Sequence, residues 1–247
     1  MTQLPKTLEE AVVQSQEATK AAIDDGYRRL QVEFLFPELK IMPVAQQFLP
    51  AFTEYKDKLK VLFADAGSGA LAKREWTEVP FQITDIGTGR SATPQEKILP
   101  EDEAFVFISP TSVEVPELEK LCSESSDRPF IMLNPRLEDS GTVGIGYAAR
   151  KVRDRFISTI DSCYYVRPIY DEAALFRCYP GVWEVWVKKG EDYEKVADLP
   201  KKPSGEEIDL IIYGGQPTAE GETTPAVSGN KPGVFKGLQR FIKALTS

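Results

Sequence analysis

Three short runs decide most of what this chain can fold into. KVLFA (60–64), AFVFIS (104–109) and PFIML (129–133) are apolar at nearly every position, and each is only five or six residues long. Runs of that length read as strands, and a strand apolar on both sides needs cover on both of its faces. Helical spacing follows KVLFA and AFVFIS. Short buried strands alternating with helices point to a parallel sheet between helical layers. The expected fold class is therefore α/β, a three-layer domain whose mainly parallel sheet is flanked by helices. After Phe156 the texture changes to aromatic and β-branched runs, STIDSCYYVRPIY, AALFRCYPGVWEVWVKK and YEKVADL, broken by turn residues. They read as an antiparallel β-meander that extends the first sheet or packs beside it.

The flanking elements follow from local signals. Thr7-Leu-Glu-Glu10 is a capping box opening a helix that Gly26 can end. RLQVEFLF alternates from Leu30 to Phe36 and predicts a strand. Pro37 and Pro43 bound a loop, and helices are expected over Val44–Tyr55, from about Ser68 to Trp76, over Val113–Cys122 and near Glu206–Ile212. Phe81–Ile83 is a further short strand, and residues 87–103 read as loop. The Pro-Gly of Tyr179-Pro-Gly predicts a type II turn, and the aromatic area of Tyr164, Tyr165, Trp183 and Trp186 suits core packing. This gives one α/β domain over residues 1–213, antiparallel from about 157. A polar, Gly/Pro/Thr-rich linker over 214–232 and a basic amphipathic helix over 233–247 complete the chain.

Composition narrows the function classes. Of 247 residues, 42% are hydrophobic, enough for a full core, and no run approaches the ~20 apolar residues that would span a bilayer. The opening MTQLPKTLEEAVV lacks a secretory pattern, so a cytoplasmic setting is expected. Net charge is −8, which argues against general nucleic-acid binding. That charge is uneven: four cations and no acid follow Glu222, leaving −12 on the rest. Histidine is absent, which removes the commonest general base, the commonest metal ligand and every Ser-His or Cys-His pair. Cys122, Cys163 and Cys178 have no metal-ligand spacing and read as buried small hydrophobes, with Cys163 and Cys178 able to face each other on paired strands. No metal or cofactor is expected.

Three surfaces could carry function. Asp65-Ala-Gly67-Ser68-Gly69 follows a strand and opens a helix, with Asp85 18 residues beyond Gly67. Dinucleotide and S-adenosyl folds use this order, although Ala72 stands where their third glycine would be; a tight strand-to-helix turn explains it equally. Asn134 ends a strand where α/β proteins bind ligands, and Arg136, Arg150, Arg153 and Arg155 follow it. Arg150 and Arg153 share a helix face, and guanidinium groups suit phosphate or carboxylate partners; a solvated face paired with acids is the plain alternative. In the last helix Phe235, Leu238, Phe241 and Ile242 form an apolar stripe beside Lys236, Arg240 and Lys243. Such a helix can lie on anionic lipid, in a partner's groove, or back on its own domain.

Several longer words occur together in one order: PKTLEEA (5–11), DGYRRLQVE (25–33), VLFADAGSGALAKREW (61–76), LNPRL (133–137), RDRFISTIDSCYYVRP (153–168) and LFRCYPGVWEVW (175–186). Over residues 5–200 the chain resembles a domain family of unknown function from cyanobacteria and plastids. That family includes chloroplast factors for low photosystem II accumulation and the extension of a plastid adenylate kinase. The resemblance implies a cyanobacterial cytoplasmic or stroma-like setting at the thylakoid surface. It also implies a protein partner from the photosynthetic apparatus, and brings no catalytic residues with it. The leading expectation is a non-catalytic assembly factor that docks an acidic partner. The rival is a nucleotide- or S-adenosyl-ligand-binding protein or transferase using the Gly67-x-Gly69 loop.

Overall fold

The structure is a computed structural model, and it describes residues 3–87, 97–138 and 147–214. Its organising element is one nine-stranded sheet in the order β3-β2-β4-β5-β1-β6-β7-β8-β9. β1 (Arg29–Phe34), β2 (Leu59–Phe63), β3 (Gln82–Asp85), β4 (Ala104–Ile108), β5 (Phe130–Leu133) and β6 (Asp161–Ile169) run parallel. β7 (Ala173–Cys178), β8 (Trp183–Lys189) and β9 (Asp192–Leu199) continue the same sheet antiparallel. The meander thus extends the first sheet. The strands β2, β4 and β5, apolar except for Lys60 of β2, sit inside it, buried at every residue.

Both faces are covered, which is what those strands require. On one face lie α1 (Leu8–Asp24), α2 (Ile41–Phe48) and α3 (Ala66–Glu75), packing Val12, Phe48 and Trp76 against Leu30, Val61 and Phe63. On the other, α4 (Val115–Glu124) and α5 (Tyr147–Arg155) cover Phe105, Phe107 and Phe130. Phe130 stacks on Phe105 with ring centroids 4.7 Å apart. Over the meander α6 (Gly205–Tyr213) sets Ile208 against Tyr165, Leu175 and Trp183. None of the described helices is long and apolar enough to cross a membrane.

Thr7 caps α1 by accepting from the Glu10 amide at 3.1 Å, and Glu10 reaches back to the Lys6 amide. Three local expectations change. The second helix begins at Ile41 rather than Val44, because Pro43 falls in its first turn, where no amide is needed. It gives way to 3-10 turns over Leu49–Lys58, with Pro50 at their start and Lys56 at φ 51°. The Tyr179–Pro180 bond is cis, which places proline third in the turn and makes it type VI instead of type II. That turn closes from the Gly181 amide to the Cys178 carbonyl at 2.8 Å, and a Cβ on Gly181 would meet the same oxygen at 2.8 Å.

All three cysteines are buried and unbridged. Tyr164, not Cys163, stands opposite Cys178 in the β6–β7 ladder. Burial pushes the Cys122 and Cys163 thiols up to about 12. They are protonated, poorly nucleophilic groups at neutral pH.

Candidate functional site

The chain leaves β2 outward to β3 and leaves β4 inward to β5, so the strand order reverses between β2 and β4. Doubly wound sheets open a crevice at such a switch point, beyond the carboxyl ends of the strands. A cavity of about 310 Å³ lies there. Phe63, Ile108, Ile41 and Met42 give it apolar walls. Asp65, Ser68, Ser109, Thr111 and Glu114 give it polar ones. Ser109 turns the chain off β4 with φ 48°, a conformation rare for a residue with a Cβ.

Both carboxylates are engaged in shaping the walls. Asp65 caps α3, accepting from the Ser68 amide at 2.7 Å. Hydrogen bonds from the Ser68 hydroxyl and amide hold its carboxyl below the usual range. Glu114 accepts from the Thr111 amide and hydroxyl, each at 2.7 Å. The crevice therefore offers hydroxyls, apolar surface and negative charge, with no cation among its described lining residues. That suits a neutral or cationic ligand better than a phosphate.

This geometry places the five residues of the glycine motif apart. α3 begins at Ala66, so Gly67, Ser68 and Gly69 form its first turn, with no free glycine loop before it. The Asp65 carboxylate sits on the amides a phosphate would use. A Cβ on Gly69 would lie 3.4 Å from the Thr84 carbonyl, so glycine there lets α3 approach β3 closely. Asp65 and Ser68 line the crevice; Gly67, Gly69 and Asp85 do not. Asp85 ends β3 on the far side of β2, with Lys97 Nζ 3.4 Å from its carboxylate.

The second group surrounds the end of β5. Asn134 has φ 49°, and its side chain clamps β1: the Phe34 amide donates to Oδ1 at 2.6 Å and Nδ2 donates to the Phe34 carbonyl at 3.0 Å. Its carboxamide is a structural tie across the sheet. Arg136 is exposed, and its backbone is pinned beside Thr111, its amide donating a hydrogen bond to the Pro110 carbonyl at 2.7 Å. On α5, Arg153 pairs with Glu138 at 2.6 Å, and Arg155 forks onto Glu119 of α4 at 2.5 and 2.8 Å. Two arginines thus staple the basic helix to its surroundings. Arg136 and Arg150 are exposed and make no ion pair with the described residues. Phe235, Lys236, Leu238, Arg240, Phe241, Ile242 and Lys243 lie outside the described residues, as does the linker over 215–232. Among the aromatics, Tyr164, Tyr165 and Trp183 are core, and half-buried Trp186 donates to Glu184.

Sequence reasoning missed Glu33. Alternation in RLQVEFLF identified the strand but not its place: β1 is an inner strand, and Glu33 is 8% exposed. Burial raises its carboxyl above the usual range, opposed by the Lys202 charge and the Ser162 hydroxyl. A polar residue alternating within a sheet covered on both faces was the available signal. Ser109 and Glu114 carried no such signal, since each belongs to the crevice only through the strand order.

The sequence matches the family described as Domain of unknown function (DUF1995) over residues 5–210. No solved structure matches the chain.

Proposed function

For a chain that belongs to the DUF1995 family, we propose a binding role without catalysis, in which the carboxyl edge of the sheet and the exposed face of α5 dock an acidic protein partner. The resemblance to low photosystem II accumulation factors makes a component of the photosynthetic apparatus, met at the thylakoid surface, the partner to test first. The supporting observation is the division among four arginines. Arg153 and Arg155 hold α5 in place, while Arg136 and Arg150 stay exposed and unpaired with the described residues. Guanidinium groups held this way match carboxylates in bidentate fashion.

Charge reversal tests it. Arg136→Glu with Arg150→Glu touches only exposed side chains and should leave stability within about 0.5 kcal/mol. The double variant is expected to lose capture of solubilised photosystem assembly intermediates, with association slowed about ten-fold or more. Wild-type binding should weaken as salt rises. Equal capture by both proteins would put the docking surface elsewhere.

The crevice supports a second reading, a small-ligand protein. Its 310 Å³ sits at the lower end of ligand-pocket sizes. Its negative walls favour an S-adenosyl or nucleoside ligand over a nucleotide, so S-adenosylmethionine should raise the melting temperature and ATP should not. A ligand at ~100 times its dissociation constant stabilises by about 2.7 kcal/mol. No shift with either at millimolar concentration removes this reading.

A further inference from the structure

α6 uses only one side of itself against the sheet. Ile208 is buried, with Ile211 and Ile212 packed beside it. Leu210 and Tyr213 point outward, 60% and 47% exposed, and Tyr170 beyond the end of β6 is 66% exposed. Burial, and then the charges of Glu172, Tyr170 and Asp209, raise the Tyr213 hydroxyl above its usual range. α6 itself carries Glu206, Glu207 and Asp209 and no basic residue. Lys188 donates its amide to the Glu172 carbonyl, and Lys202, three residues before α6, holds its ammonium over the Tyr165 and Trp183 rings beneath the helix. The carboxyl end of α6 adds the negative end of its dipole. The result is an apolar patch with an acidic rim, beside the point where the described chain ends at Gly214.

The rest of the chain has the complementary chemistry. Val234, Phe235, Leu238, Phe241, Ile242 and Leu245 are apolar at helical spacing, and Lys236, Arg240 and Lys243 lie among them without an acid. A helix of this length is marginal alone in water and needs a surface to hold it. We infer that residues 234–245 pack on the Tyr170–Leu210–Tyr213 patch of their own chain, with their cations toward Glu172, Glu206 and Asp209. The length of chain permits it: 18 residues, 215–232, lie between Gly214 and Gly233, and an extended residue reaches about 3.3–3.6 Å. The inference stands apart from the acidic-partner reading, since it uses neither Arg136 nor Arg150.

The test uses the full chain with p-benzoylphenylalanine in place of exposed Tyr213, irradiated in solution. The expected result is a cross-link within one chain to a peptide from 233–247, its yield unchanged on dilution. Reversing Lys236, Arg240 and Lys243 to Glu should lower that yield about ten-fold or more, with the melting temperature unchanged. Cross-links only between chains, fading on dilution, would overturn the inference in favour of a second copy. No cross-link, with the unmodified chain sedimenting with anionic lipid vesicles, would overturn it in favour of a membrane surface. A yield indifferent to the charge reversals would overturn the acidic-rim assignment.

Discussion

Asp102→Ala is expected to destabilise the domain by about 3–5 kcal/mol, the usual cost of removing one partner from a buried ion pair. Lys60 lies on β2, inside the sheet, and its ammonium meets Asp102 Oδ2 at 2.6 Å and the Lys97 carbonyl at 2.9 Å. Their side chains are 5% and 0% exposed. Removing the carboxylate leaves a buried cation with one neutral acceptor, and it frees the Leu99 amide, which donates to the same oxygen. Lys60→Met together with Asp102→Leu removes both charges and should restore most of the loss. Urea denaturation checks the pair: the midpoint of the single variant falls well below that of the double variant, with similar slopes. A loss under about 1 kcal/mol for Asp102→Ala would mean that water reaches Lys60. Since domains of this kind are stable by about 5–15 kcal/mol, this one carboxylate holds a large share of the margin. β2 also ends in the crevice wall, so the same variant should abolish any ligand-induced shift.

The second large effect is at Asn134. Two costs combine in Asn134→Ala. The left-handed backbone disfavours a Cβ that lacks asparagine's local hydrogen bonding, at about 1–2 kcal/mol. The Phe34 amide and carbonyl lose their side-chain partners, at about 1–3 kcal/mol for a buried group left unpaired. Together a loss of about 2–4 kcal/mol is expected. Asn134→Gly keeps the backbone at ease and loses only the clamp, so it should fall between wild type and Ala. Thermal or urea unfolding orders the three proteins. Alanine behaving as wild type would show that the clamp contributes nothing; glycine matching alanine would assign the whole cost to the clamp.

Legibility in the sequence followed the range of the interaction. β2, β4 and β5 could be read because a run of four or five nearly all apolar residues needs no partner to be recognised. The capping threonine of α1 and the Glu10 that answers it act within four residues. The same local reading could not decide where spacing leaves the geometry open. Gly67-x-Gly69 has the same spacing in a phosphate loop and in a first helical turn, and Asp65 as cap decides which. It was equally undecided at Glu33, whose alternation fits either a surface strand or an inner one. The crevice was out of reach because Ile41, Ser68 and Glu114 come together only through the strand order. Lys60 and Asp102, far apart in sequence, gave no signal of each other. The arginines were visible as a cluster, but which of them are staples depended on Glu119 and Glu138.

The position of β1 has a consequence for how the protein is made. β1 is the first strand to leave the ribosome, yet its neighbours are β5 and β6: Arg29 pairs with Phe130 and Leu30 with Asp161. At about 5–20 residues per second, the roughly 100 residues separating β1 from β5 take some 5–20 s to appear. Through that interval both hydrogen-bonding edges of β1 are open, and α1 waits for the β6 and β7 surfaces it packs on. The nascent chain therefore carries an unpaired strand, apolar at Leu30, Val32 and Phe34, for seconds, the state in which chains pair wrongly with one another. Cells making this protein are expected to shelter its amino-terminal third with a co-translational chaperone, and a refolding chain, with every strand present at once, escapes that delay.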